Sequence, residues 1–72
     1  MLIEFDYSKL RGRIRELYKT EGMFAKELGI SSVSLSVKLN NKVGFTSTEI
    51  LESLKLLDLE ISEVDTYFFE TL

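Results

Sequence analysis

The chain carries neither histidine nor cysteine. That removes the commonest general base, the commonest transition-metal ligand, the thiolate nucleophile and any disulfide. Carboxylates, hydroxyls and amines remain. Glu49 with Glu52, and Glu60 with Glu63, are spaced to share a helix face. Paired carboxylates catalyse only where their surroundings drive their pKa values apart. Helix caps and solvated faces explain these pairs better. No nucleophile has a base beside it. The expectation is no catalysis, no metal and no cofactor. The chemistry left is recognition, by a polar and valine-bearing stretch: Ser32, Val33, Ser34, Ser36, Val37, Lys38, Asn40 and Lys42, with Lys26 just before it.

Those residues need elements to position them. There is no proline, so boundaries come from caps and glycines. A first helix is expected from Ser8 to about Lys19, capped by Asp6 or Ser8, with Tyr7, Leu10, Ile14 and Leu17 as its apolar stripe. Gly12 falls on the opposite face. A second helix runs from Glu21 to Leu28 behind Thr20 as N-cap, and Gly29 ends it. A third follows from Ser32 to Leu39 behind Ser31 and stops at Asn40-Asn41. A fourth opens on Thr46-Ser47-Thr48-Glu49, a capping box. Its stripe is Ile50, Leu54 and Leu57. A fifth is expected from Glu63 to about Glu70 behind Ser62, with Val64 and Phe68 inward. The alternation in Leu2–Phe5 is too short to make a strand. The fold expected is all-α: one compact five-helix domain over residues 1–72.

Residues 24–40 hold the informative pattern. Ala25 lets two backbones cross, Gly29 makes the turn, and Ile30 and Leu35 hold the following helix down. This is helix-turn-helix geometry, whose second helix enters the DNA major groove. At roughly 100° per residue, Val33 and Val37 lie opposite Leu35 and Leu39. Ser34 and Lys38 flank one side of that ridge, Ser32 and Ser36 the other. The valines suit thymine methyls, a protein partner, or nothing in particular, since single exposed apolar residues are normal. The serines suit phosphate or base contacts, or are simply surface. No Arg, Gln or Asn is placed along the helix for bidentate base reading, apart from Asn40 at its end.

Tyr7-Ser8-Lys9-Leu10-Arg11-Gly12, Phe24 to Ser31, Leu35-Ser36-Val37-Lys38-Leu39-Asn40 and Tyr67-Phe68-Phe69 occur in this order. Together they resemble the Xre/Cro/CI-type helix-turn-helix regulators, in particular small Cro-like or modulator-of-repression proteins of Gram-positive phages. The resemblance spans nearly the whole chain and implies a lambda-repressor-like domain acting in the lysogeny/lysis switch. Operator DNA is the partner it implies first. The cognate phage repressor, bound through the helix-turn-helix surface, is the alternative. Two departures matter. Glu21 and Gly22 stand where the family often has a glutamine touching the DNA backbone. Asn40-Asn41 replaces an asparagine-glycine pair, which asparagine's tolerance of a left-handed backbone permits.

Charge is uneven along the chain. Residues 1–42 hold eight bases and five acids, whereas residues 43–72 hold Lys55 against seven acids. A basic front facing phosphate and an acidic back facing away is one reading. Two ordinary solvated faces is the other. Leu56 and Phe69 fall off the inner stripes of their helices, which suggests a homodimer patch. Met1–Tyr7 reads as neither signal peptide nor membrane span, so a cytoplasmic location in a bacterial host is expected.

Overall fold

The computed structural model describes residues 4–72. Leu2 and Ile3, in the stretch weighed as a strand, lie outside the described residues. Five helices follow in order: α1 Ser8–Tyr18, α2 Glu21–Leu28, α3 Ser32–Leu39, α4 Ser47–Leu56 and α5 Val64–Phe68, with a 3₁₀ turn Ile61–Glu63 leading into α5. Among the described residues the strand-like pairing is a single antiparallel bridge, Phe5 with Thr71. Asn41 reinforces it. Its side-chain oxygen accepts from the Phe5 N–H and its amide donates to the Phe5 carbonyl, both at 2.9 Å.

Local chemistry explains the middle three helices. Thr20 accepts from the Met23 N–H, Ser31 from the Ser34 N–H, and Thr46 from the Glu49 N–H. Glu49 returns a bond to the Thr46 N–H at 2.9 Å, which completes the capping box. Gly29 ends α2 at φ 84°, a left-handed conformation that side chains resist. Asn41 and Asp58 take positive φ after α3 and α4, as short polar side chains tolerate. Asp6 accepts from the Ser8 N–H and so serves the start of α1. At Gly12 a Cβ would meet open space, so packing does not require glycine there.

The core collects Tyr7, Leu10, Ile14, Phe24, Ala25, Leu35, Leu39, Leu54, Leu57 and Phe68. Leu28, Ile30 and Ile50, expected to be fully buried, are half-buried at its edge. Leu17 is a correction: it is 44% exposed. Tyr18 turns inward instead, edge-on to Phe24 at 5.4 Å, and its hydroxyl donates to the Leu56 carbonyl at 2.9 Å. Positions 10, 14 and 18 keep strict i, i+4 spacing, so the aromatic residue takes the place given to leucine. The fifth helix is also corrected. It is shorter than expected, and its N-cap is Glu63, not Ser62; the Glu60 N–H that donates to the Glu63 carboxylate caps the preceding 3₁₀ turn. Leu56 is half-buried against the core, which removes it from the supposed dimer patch, while Phe69 stays 45% exposed.

Candidate partner-binding face

α3 presents its outer side as the cap and core contacts dictate. Leu35 and Leu39 point into the core, so Ser32, Val33, Ser36 and Asn40 face outward and are exposed. Val33 is 71% exposed; Val37, one turn on, is half-buried. The ridge expected from two valines is therefore carried mainly by Val33. Ser34 is half-buried, its hydroxyl 3.0 Å from that of Ser31. The Asn40 amide donates to the Ser36 carbonyl at 2.9 Å, closing the end of the helix instead of reaching outward. Lys26 on α2 and Lys42 beyond α3 are exposed.

Lys38 departs from the sequence expectation. It was placed beside the valines as the helix's cation, yet it is only 8% exposed. Its stem folds back, and its ammonium meets the Glu49 carboxylate at 3.1 Å and the Gly44 carbonyl at 3.2 Å. The Phe45 ring lies 5.9 Å away. A long apolar stem buries readily when its charged tip finds partners, and the capping carboxylate of α4 is already fixed in place to receive it. Partial burial pushes the Glu49 carboxyl up. The Thr46 backbone N–H, the Lys38 ammonium and the Thr46 hydroxyl outweigh that and hold it below its ordinary value. The outer face of α3 therefore carries no free cation.

The arginines of α1 are similarly engaged. Arg11 contacts Glu21 at 2.8 Å, reaches the Asn40 side chain at 3.5 Å, and shares Glu21 with Arg15 at 3.8 Å. Arg13 donates to the Leu57 carbonyl and pairs with Glu16. Sequence reasoning missed Arg11, which ties the start of α2 to the end of α3. No local signal could have revealed it, because its partners lie 10 and 29 residues away. Glu21, the residue that departs from the resembled pattern, thus has a structural use as the anchor of two arginines. Met23 at 56% and Val43 at 52% exposure add apolar surface that the expected site omitted. Among the described residues no cluster of acidic side chains is placed to hold a metal, and no helix is long and apolar enough to cross a membrane.

These features define a compact five-helix domain whose second and third helices form a tight, capped pair. The DUF739 family, described as proteins of unknown function, matches residues 3–71, and the chain belongs to that family. Among solved structures it is similar to the solution structure of the modulator of repression of the temperate bacteriophage TP901-1 from Lactococcus lactis. The two are 39% identical with a TM-score of 0.81, over 92% of this chain and 89% of that one. No curated protein matches. Of the two branches of the resemblance, this likeness supports the modulator-of-repression branch; it does not single out the broader Xre/Cro/CI family.

Proposed function

We propose that this protein is a phage regulator that modulates a cognate repressor by binding it through the outer face of α3, in the cytoplasm of a bacterial host. The likeness to a phage modulator of repression, across almost the full length of both chains, carries the reading. The face itself agrees with it. Val33 stands out of a hydroxyl-rich surface, Lys38 is withdrawn to Glu49, and Glu21 lies at the start of α2. A phosphate backbone is held by cations, and this face offers none from α3. A protein partner gains from burying a valine and from hydrogen bonds to Ser32, Ser36 and the flanking backbone.

Operator binding in the Cro-like manner is the second reading, favoured by the exposed lysines Lys26 and Lys42. With so few free cations, such binding is weak alone, and its salt dependence is shallow because the slope scales with the number of phosphates neutralised.

The test is Val33→Asp, measured by capture of the cognate phage repressor and by gel shift on that repressor's operator DNA. The residue is exposed, so stability should move by less than about 0.5 kcal/mol. Full burial of a valine is worth about 1.5–3 kcal/mol, so repressor affinity should drop roughly tenfold or more. Unchanged capture by a folded variant removes α3 as the docking face. Tight operator binding that Lys26→Ala and Lys42→Ala abolish would put DNA in the repressor's place.

A further inference from the structure

We infer a second binding site, separate from the outer face of α3: an aromatic-walled cleft that takes the aromatic side chain of an acidic segment of another protein. The cleft holds about 280 Å³. Its walls include Phe5, Tyr7, Phe45, Phe68 and Phe69, and Lys42 is the one charged residue lining it among the described residues. The five rings form an unbroken series, Phe69 to Phe5 to Tyr7 to Phe45 to Phe68, with centroids 5.3 to 6.1 Å apart. They come from the segment before α1, the α3–α4 loop and the end of α5, so the fold assembles the cleft from parts distant in sequence. That junction is pinned. Asn41 holds Phe5 through both polar atoms of its side chain, the Asp6 N–H donates to the Glu70 carbonyl at 2.6 Å, and the Leu72 N–H donates to the Glu4 carbonyl at 3.1 Å. The walls are in place before a ligand arrives, which lowers the cost of binding one.

Shape and charge select the occupant. A benzene-sized molecule fills an apolar cavity of about 150 Å³, so 280 Å³ has room for one ring and a carboxylate beside it. The faces and edges of the wall rings favour a further aromatic ring. Lys42 is exposed with no ion-pair partner among the described residues, which leaves its ammonium for an incoming carboxylate. The nearest acids along the chain, Glu4, Asp6 and Glu70, do not line the cleft, and Asp6 is turned to the Ser8 N–H at 2.9 Å. The rim suits a polypeptide. Val43 is 52% exposed and Phe69 45% exposed, apolar surface that a lone bound ring leaves wet and the chain on either side of it covers. Among the described residues the Val43 and Gly44 N–H groups have no backbone acceptor, so an extended segment finds main-chain donors in the same loop.

The experiment uses the full chain, isotope-labelled, and the peptide Ser-Asp-Phe-Asp-Ser with both ends blocked. Its controls are the same peptide with alanine for phenylalanine, the same peptide with lysine for both aspartates, and phenylacetate. The parent peptide should shift the amide resonances of Phe5, Lys42, Val43, Gly44 and Phe69 saturably and leave Val33 in place. Lys42→Glu should weaken it about tenfold or more, and Lys42→Arg should keep it. Val43→Asp, which sets a carboxylate on the exposed rim, should weaken it as well. Val33→Asp should leave it unchanged, which separates this site from the α3 reading. Equal binding of the alanine or the lysine peptide, shifts centred on Val33, or no saturable binding each overturn the proposal. So does phenylacetate binding as tightly as the peptide, which makes the cleft a small-molecule site, and so does self-association of the free chain in sedimentation that Val43→Asp dissolves.

Discussion

In residues 1–42 half of the bases pair with carboxylates of the same chain; in residues 43–72 most of the acids have no such partner among the described residues. Arg11, Arg13, Arg15 and Lys38 each contact a carboxylate of the same chain. Across the later region, Glu49 alone among the described acids has an ion-pair partner. The basic excess counted along the front of the sequence is therefore not an open basic patch. Of its cations, Lys9, Lys19, Lys26 and Lys42 are exposed with no ion-pair partner among the described residues, and they are scattered over three parts of the chain. The acidic excess of the back is open as counted. Net charge by segment overstated one region and described the other well, because exposed ion pairs are cheap to form and sequence spacing does not reveal them.

The strongest test asks whether the two regions are one cooperative unit. Phe68, from the back region, is 1% exposed and stacks edge-on with Phe45 at 5.3 Å. Phe68→Ala should cost about 3–5 kcal/mol, seen as a fall in the urea midpoint. Both regions should melt together. Dispersed α1–α3 resonances surviving after α4 has unfolded would divide the domain in two.

A smaller effect is expected at the link between the regions. Lys38→Ala leaves the half-buried Glu49 without its cation and empties the space over Phe45. The expected loss is about 1–3 kcal/mol, the range for an unsatisfied polar group. A midpoint equal to wild type would mean that Lys38 stands in solvent and that the front region keeps a free cation on α3 after all.

The smallest effect is on pH. The Glu49 carboxyl lies below its ordinary value of 4.5 in the folded chain. Asp6 lies below 3.8, held there first by the Ser8 backbone N–H and then by the Ser8 side chain and Lys9. A carboxyl depressed by folding contributes stability that is present above its unfolded value and lost as pH falls through its folded one. Stability should therefore fall on acidification below 4.5, and Glu49→Gln should flatten part of that slope. An identical slope in wild type and variant would remove Glu49 as a source.

The elements most legible in the sequence were those with local chemistry. Thr20, Gly29 and Ser31 bracket α2 and α3 within the chain's nearest neighbours, and Thr46 with Glu49 announces α4. What stayed hidden depended on distant partners. Leu17 and Tyr18 are equally placed on the α1 stripe until Phe24 and the Leu56 carbonyl choose between them. Lys38 reads as a surface lysine until Gly44, Phe45 and Glu49 close over it. The end of the chain was overextended because Val64 and Phe68 continue a helical period, although the backbone leaves it at Phe69. On the candidate site, the outward positions of Ser32, Val33 and Ser36 followed from helical phase alone. The reach of Arg11 to Asn40 did not.

The bond between Lys38 and Glu49 also bears on how such proteins diverge. A change at either position alone leaves a charge shielded from water without its counterpart, so the two should vary as a pair across relatives. Position 38 is thereby withdrawn from the repertoire with which α3 can drift toward a new partner. That freedom rests with positions 32, 33 and 36, where a substitution meets mostly solvent and the fold bears little of the consequence.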